Sequence, residues 1–324
     1  MHVPRISVVG SYATGLTMKV ERLPRTGETV LGTGYRVDHG GKGSNQAVGC
    51  ARLGASVCFV ARIGNDDFGE MALSLHREEG LDVAHIRKMD SAPTGVGFIV
   101  VDAASGNNII AIDPGANGLL TPREIHQCEA ALQSSSVVLT QLEIPLEAAE
   151  TALKLGRARG ALTILNPAPV RPLSSAILEM VDVLTPNETE AKVLLGRRPD
   201  DPLEPEAVAR ELIGRGVKQV IVTLGERGAL IVTPSSSTHI PAIQVLAVDT
   251  TGAGDSFNAG LAVALACGTN LEDAVRFAVV TGGLAVTQEG VIPSLPRREH
   301  VLQYFQQSRL TPPDWFSQKW TSKD

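Results

Sequence analysis

The chain of 324 residues has the length of one large α/β domain or two ordinary ones, enough for a full apolar core without disulfide or metal staples. Lys and Arg total 29 against 35 Asp and Glu, a formal net charge of −6, and basic clusters stop at pairs such as Arg297-Arg298, which speaks against a nucleic-acid-binding surface. Four scattered cysteines (Cys50, Cys58, Cys128, Cys267) without a C-x-x-C pair predict reduced thiols and a cytoplasmic enzyme, and no apolar run approaches the ~18 residues of a leader-plus-span or membrane helix.

Aromatics make up only 4% of the chain while glycine reaches 32 residues, so the core is built from Ala, Val, Leu and Ile, as in parallel strands buried between helices. In chain order, a β-branched strand at 6–9 leads to two further strands at 12–20 and 29–38, then a helix at 43–53. Strand 56–61, helix 67–79, strands 94–101 and 107–112, helix 121–133, strand 135–140 and helix 146–159 follow. Strands 161–165 and 181–185, helices 187–195 and 204–215, and strand 219–224 continue the alternation. The fold class is therefore α/β, a doubly wound and mostly parallel sheet flanked by helices. The segments 12–20, 29–38, 94–101 and 107–112 leave no room for crossover helices and predict a smaller sheet, a β-lid over one end of the main one. Within it, the turn-rich stretch Asp102 to Gly106 predicts a hairpin. The domain is expected to span 1–306, with a C-terminal tail at 307–324 that holds both tryptophans, Trp315 and Trp320.

Chemistry concentrates in a few segments. Asp249-Thr250-Thr251-Gly252-Ala253-Gly254-Asp255 reads as a strand end, a glycine turn and a helix start, where small residues and free N–H groups suit a phosphate. Asp255, in the first turn, is placed to take a proton from an attacking hydroxyl, although a carboxylate there also simply complements the helix dipole. Gly40-Gly41-Lys42-Gly43-Ser44-Asn45-Gln46 precedes another helix; it lacks both P-loop and dinucleotide-fingerprint spacing and instead suits a polyhydroxylated ligand. Asn187 and Glu190, three apart at a helix start, could hold a hydrated Mg²⁺, form a capping box, or do both. Thr223 to Gly228, with Gly225 between, is a turn after a strand that would either flank a nucleotide or serve only as a tight turn; Gln141-Leu142-Glu143 ends a strand where open α/β sheets bind ligands, and Asn166-Pro167 ends another and reads as punctuation. The histidines show no zinc spacing, and no G-x-S-x-G elbow is present.

In this order, GGKGSNQA, QLEIP, NPAP, TPNETEA, VTLGERGA and DTTGAGDSFNAG resemble the ribokinase-like, or PfkB, family of carbohydrate kinases over roughly residues 5–306. The resemblance implies transfer of the γ-phosphoryl group of ATP to a primary hydroxyl of a ribose-like sugar. It implies Asp255 as catalytic base with Gly252, Ala253 and Gly254 as the anion hole, and Gly41, Lys42, Gly43, Asn45 and Glu143 as sugar contacts. Asn187, Thr223, Gly225 and Gly228, with Gly254, match nucleotide positions, and Glu190 matches a residue that orders Mg²⁺ through water. Asp249, Thr251, Ala285, Gln288, Gly290 and Ser294 match a K⁺ site.

One departure stands out. Ribose-binding members typically read G-S-x-N-x-D after the first strand, and this chain has Gly10-Ser11-Tyr12-Ala13-Thr14-Gly15, with Ala13 and Gly15 in place of the polar grips. The kinase reaction is unaffected by this change; ribose as the substrate is placed in doubt unless Thr14, Ser44 or Asp113 substitutes. A kinase of another sugar, deoxysugar, polyol or nucleoside is the alternative, and a non-catalytic sugar-binding relative is more remote. The lid strands, with apolar faces and open edges, predict a homodimer.

Overall fold

A computed structural model describes residues 3–318. Thirteen strands form two sheets. They are β1 (Arg5–Val9), β2 (Ala13–Val20), β3 (Gly32–Gly40), β4 (Ser56–Gly64), β5 (Ile86–Met89), β6 (Gly95–Asp102), β7 (Asn108–Asp113), β8 (Val137–Thr140), β9 (Leu162–Leu165), β10 (Val183–Leu184), β11 (Gln219–Thr223), β12 (Ala229–Val232) and β13 (Ser237–Ile240). The large sheet runs β13-β12-β11-β10-β9-β8-β1-β4-β5, parallel from β5 to β11, with β12 and β13 added antiparallel at the edge. The small sheet, β3-β2-β6-β7, is the predicted lid, and β6 and β7 are antiparallel neighbours joined by the predicted turn.

The large sheet reads from sequence because its strands are buried on both faces: every residue of β8 is buried, as is β1 beyond Arg5. Helices α1 (Lys42–Arg52) and α2 (Asp67–Glu78) and the Ala253–Ala266 and Leu271–Ala285 helices supply the covering layer around Phe59, Phe257 and Phe277. Strand β1 lies between β4 and β8, so the winding reverses there. The carboxyl ends of β1 and β8 open a crevice at that reversal, the place where open α/β sheets bind ligands.

Several boundaries differ from the sequence reading. The strand expected over 181–185 is only Val183–Leu184, and the helix expected over 121–133 is two short ones, Pro122–Gln127 and Glu129–Gln133, hinged at Cys128. Strands β5, β12 and β13 have no counterpart in the sequence reading, since strands of four residues are too short to carry a clear periodic signal. The segment after 307 folds back on the body through its Asp314–Ser317 turn of helix: Trp315 and Phe316 are buried, their rings 4.9 and 4.7 Å from that of Phe277. Trp320 lies outside the described residues. Among the described residues the four cysteines are unpaired, and no helix is long and apolar enough to cross a membrane.

Candidate active site

Two glycines let the site close up at the sheet reversal. A Cβ on Gly43 would lie 2.5 Å from the Ser11 nitrogen and 2.7 Å from Gly10 Cα, so only glycine lets the start of α1 rest on the end of β1. Gly252 caps the Ala253–Ala266 helix in the left-handed region (φ 84°), with Val291 packed where a Cβ would be. The N–H groups of Gly254 and Asp255 then stand in a first turn that has no intrahelical acceptors to offer them, and the Ala253 N–H makes a long hydrogen bond of 3.3 Å to the Thr250 carbonyl.

Asp255 is buried, and each of its carboxylate oxygens is held by one side chain of α1: Asn45 Nδ2 donates to Oδ2 at 2.8 Å and Gln46 Nε2 to Oδ1 at 2.9 Å. Gln46 is itself clamped, donating to Asn166 Oδ1 (3.1 Å) and accepting from Gln141 Nε2 (2.5 Å). Asn166 Nδ2 donates to the Thr185 carbonyl, the Thr185 hydroxyl to Asn258 Oδ1, and Asn258 Nδ2 to the Gly254 carbonyl. The ends of β8, β9 and β10 are thereby tied to both sides of the anion-binding turn. Buried polar networks in which the members satisfy one another fix a single geometry, and here that geometry aims one carboxylate.

Glu143 accepts hydrogen bonds at Oε2 from the Ser11 hydroxyl (2.5 Å) and the Lys42 N–H (2.8 Å), pinning the α1 N-terminus beside β8. Asp255, with Glu143 and Glu190 adding to it, holds the Lys42 ammonium above the ordinary lysine value in spite of burial. Burial pushes the Glu190 carboxyl up, while the Asn187 N–H and the Lys42 charge pull the other way. These four charged groups therefore share one local field. Asn45 Oδ1 is buried without a hydrogen-bond partner, an open acceptor beside Asp255.

The capping box between Asn187 and Glu190 is present: Asn187 Oδ1 accepts from the Glu190 N–H, and Glu190 Oε2 from the Asn187 N–H. It uses one oxygen of Glu190. Thr223 sits against this corner, its N–H donating to the Pro186 carbonyl, and the following turn, Gly225–Arg227 closed by Gly228, is joined to the same helix by an Arg227–Glu188 ion pair. On the other side of the anion-binding turn, Asp249 accepts from the N–H groups of Thr251 (2.9 Å) and Gly290 (3.0 Å). Burial pushes the Asp249 carboxyl up, but these hydrogen bonds outweigh it and keep it below the usual aspartate value. The Val286 carbonyl accepts from the Val248 and Asp249 N–H groups, so the segment holding Ala285, Gln288, Gly290 and Ser294 lies against Asp249 and Thr251.

The profile of the pfkB family carbohydrate kinases matches residues 3–298. The chain belongs to that family. A ribokinase of Haemophilus influenzae is 36% identical over 301 residues, covering 93% of this chain and 98% of its own. A deoxyribokinase of Salmonella typhi is 35% identical over 300 residues, covering 92% and 98%. Among solved structures, ribokinase from Thermotoga maritima superposes with a TM-score of 0.86 at 38% identity, over 94% of this chain and all of that one. Arabidopsis thaliana ribokinase in complex with ribose and ATP gives 0.87 at 32% identity, over 94% and 98%. The two-sheet architecture is that of the ribokinase fold, and the enzyme is an ATP-dependent sugar kinase.

The sequence reading of this kinase site passed over three side chains. Gln46 stands there only as the end of the glycine-rich segment, Gln141 only within a strand end suited to ligands, and Asn166 only as punctuation. Each is a buried amide whose partner lies about a hundred residues away, which no local pattern records. Two of the residues named as substitutes for the missing sugar grips are turned elsewhere: Ser44 Oγ lies 3.0 Å from buried His76 Nε2, and Asp113 Oδ1 accepts from the Gly115 N–H.

Proposed function

We propose that this kinase phosphorylates a primary hydroxyl of a ribose-like sugar, with Asp255 as the base that receives the hydroxyl proton. The observation that carries this is Asp255 itself, a buried carboxylate aimed by Asn45 and Gln46 at the mouth of a helix N-terminus. The N–H groups of Gly252, Ala253 and Gly254 would accept the charge that gathers on the transferring phosphoryl group. Gly41, Lys42, Gly43, Asn45 and Glu143 line the sugar end, where the open Asn45 Oδ1 supplies an acceptor for a hydroxyl. Asn187, Thr223, Gly225 and Gly228 form the nucleotide edge, brought together by the Thr223–Pro186 hydrogen bond.

The free oxygen of Glu190 is suited to a water-held Mg²⁺, which would neutralise nucleotide phosphate charge. Asp249, Thr251, Ala285, Gln288, Gly290 and Ser294 lie on two backbone segments pressed together by the Asp249 and Val286 hydrogen bonds, an oxygen-rich junction that suits K⁺. From there the residues that would hold the cation also fix the turn at Gly252. Pairing of two lids explains the apolar outer face of the small sheet, where Val37, Phe98 and Ile109 are exposed, and makes the enzyme a homodimer.

Relatives of nearly equal identity carry the names ribokinase and deoxyribokinase, so overall similarity does not pick the sugar. Ala13 and Gly15 count against ribose. The test is ATP consumption over ribose, deoxyribose, other pentoses, hexoses, polyols and nucleosides, each with and without Mg²⁺ and with K⁺ or Na⁺. Turnover is expected for a pentose or close analogue, dependent on Mg²⁺ and higher in K⁺. No turnover on any sugar of the panel would overturn the reading, and equal rates in K⁺-free buffer would remove the K⁺ site.

A further inference from the structure

We infer that Asp38, on β3, is the specificity-determining carboxylate of this enzyme, accepting a sugar hydroxyl from one strand further across the lid than β2. The inference rests on the reading that the sugar lies between the lid and Asp255.

In the β2–β3 ladder Gly15 is the direct partner of Asp38, and Thr17 that of Arg36. Directly paired residues share a face. A Cβ built on Gly15 would lie 3.9 Å from Asp38 Cβ, which confirms that the Asp38 side chain leaves the sheet on the side where Gly15 has none. Arg36 identifies which side that is. Its guanidinium reaches off the lid to Glu289 at 2.6 Å, and Glu289 adjoins Gly290, whose N–H is bound by Asp249, and Val291, which packs on Gly252. The face carrying Ala13, Gly15, Asp38 and Arg36 therefore turns toward the anion-binding turn. Leu16, Val37 and Phe98 share the opposite face.

On the inward face, β2 offers a methyl group at Ala13 and a hydrogen at Gly15, with its next side chain, Thr17, standing beside Arg36. Asp38 is the carboxylate beside that bare patch, three residues before Gly41 and the sugar-binding start of α1. Its side chain is 42% exposed, and among the described residues its one ion pair is a long one, Oδ2 to Arg36 Nε at 3.5 Å, which leaves hydrogen-bonding capacity for a ligand. Arg36, anchored at Glu289, orients the carboxylate without saturating it. Moving the acceptor from β2 to β3 shifts it by roughly 5 Å, the spacing of neighbouring strands. The favoured sugar is thus one with a hydroxyl that meets β3, and a sugar suited to a grip on β2 is disfavoured.

The experiment measures kcat and KM for the best sugar of the panel, its monodeoxy analogues and ribose, in wild type, Asp38→Ala, Asp38→Asn, Asp38→Ala with Gly15→Asp, and Asp255→Asn. Loss of a hydrogen bond to a buried hydroxyl predicts that Asp38→Ala lowers kcat/KM for the best sugar about 10- to 100-fold, mainly through KM, with ATP affinity unchanged. One monodeoxy analogue should lose nothing, so the ratio between it and the best sugar collapses in Asp38→Ala. Nothing lies closer than 3.6 Å to a Cβ at Gly15, so the double variant folds and should shift preference toward ribose. Asp38→Ala and Asp38→Asn that discriminate all analogues as wild type does, or slow every sugar equally with a lowered Tm, would overturn the proposal. An inactive Asp255→Asn beside those results overturns it alone; Asp255→Asn at wild-type turnover removes the site reading and the proposal together.

Discussion

Asp255 and Asp38, the two carboxylates proposed to flank the sugar, are held in opposite ways. Asp255 is 6% exposed, with both oxygens bound by amides, of which Gln46 is clamped in turn, and the network runs through three strand ends of the large sheet. Asp38 stands on a four-stranded lid, half open to solvent, steadied by one arginine. The body fixes the reacting geometry, since a buried polar group left unpaired costs about 1–3 kcal/mol and few substitutions are tolerated. The lid can exchange a carboxylate between strands at little cost to stability, so substrate choice can vary while the chemistry stays fixed.

The largest effect should come from the body. Asp255→Asn is expected to keep ATP binding and lower kcat by at least ~10²-fold, the scale for loss of a positioned general base. Single-turnover kinetics beside nucleotide titration would check it, and wild-type turnover would break the contrast at its centre. Gln46→Leu removes a donor from Asp255 and takes away the partner of Asn166 Oδ1 and of Gln141 Nε2. A fall in kcat of about tenfold, with stability reduced by ~1–3 kcal/mol for each orphaned group, is expected from activity and denaturant unfolding of the same variant.

Where body and lid meet, burial pushes His76 down to about 4 from its ordinary 6.5. Its Nδ1 donates to the Ala72 carbonyl at 2.6 Å and its Nε2 accepts from the Ser44 hydroxyl, so the neutral ring is the one that fits. A base with a lowered folded-state value contributes stability that is complete above pH 6.5 and is lost as pH falls toward 4. The loss approaches about 3 kcal/mol. Comparing unfolding free energies of wild type and His76→Gln across pH 4 to 7 should show a shallower acid slope in the variant; equal slopes would contradict it. The smallest catalytic effect belongs to the outer lid face. Phe98→Lys should convert a dimer to a monomer by light scattering with kcat retained, and an unchanged dimer would place the interface elsewhere.

Much of the fold was legible because double-sided burial writes continuous β-branched runs such as Ile6 to Val9 and Val137 to Leu139. The site was legible where local physics requires a residue type, as at Gly252 with its left-handed backbone, Gly43 with no room for a Cβ, and Asp255 in a first helical turn. The Asn187–Glu190 capping box could be read with its metal alternative but not separated from it, because both use the same three-residue spacing. Short strands such as β12 and β13 were not legible, and neither was the docking of Trp315 and Phe316 on Phe277, since each depends on a partner supplied by the tertiary structure.

The alternating α/β order, the glycine turn before Asp255, the lid strands and the kinase motifs can be read from the chain because each rests on spacing within a few residues. That Gln46, Gln141 and Asn166 aim Asp255, that Ser44 serves His76, and that Asp38 faces the same side as the vacant Gly15 emerges only on folding. Those facts depend on register and packing between segments distant in the chain. A change of one residue in strand register would turn Asp38 to the outer face while leaving every local motif unaltered.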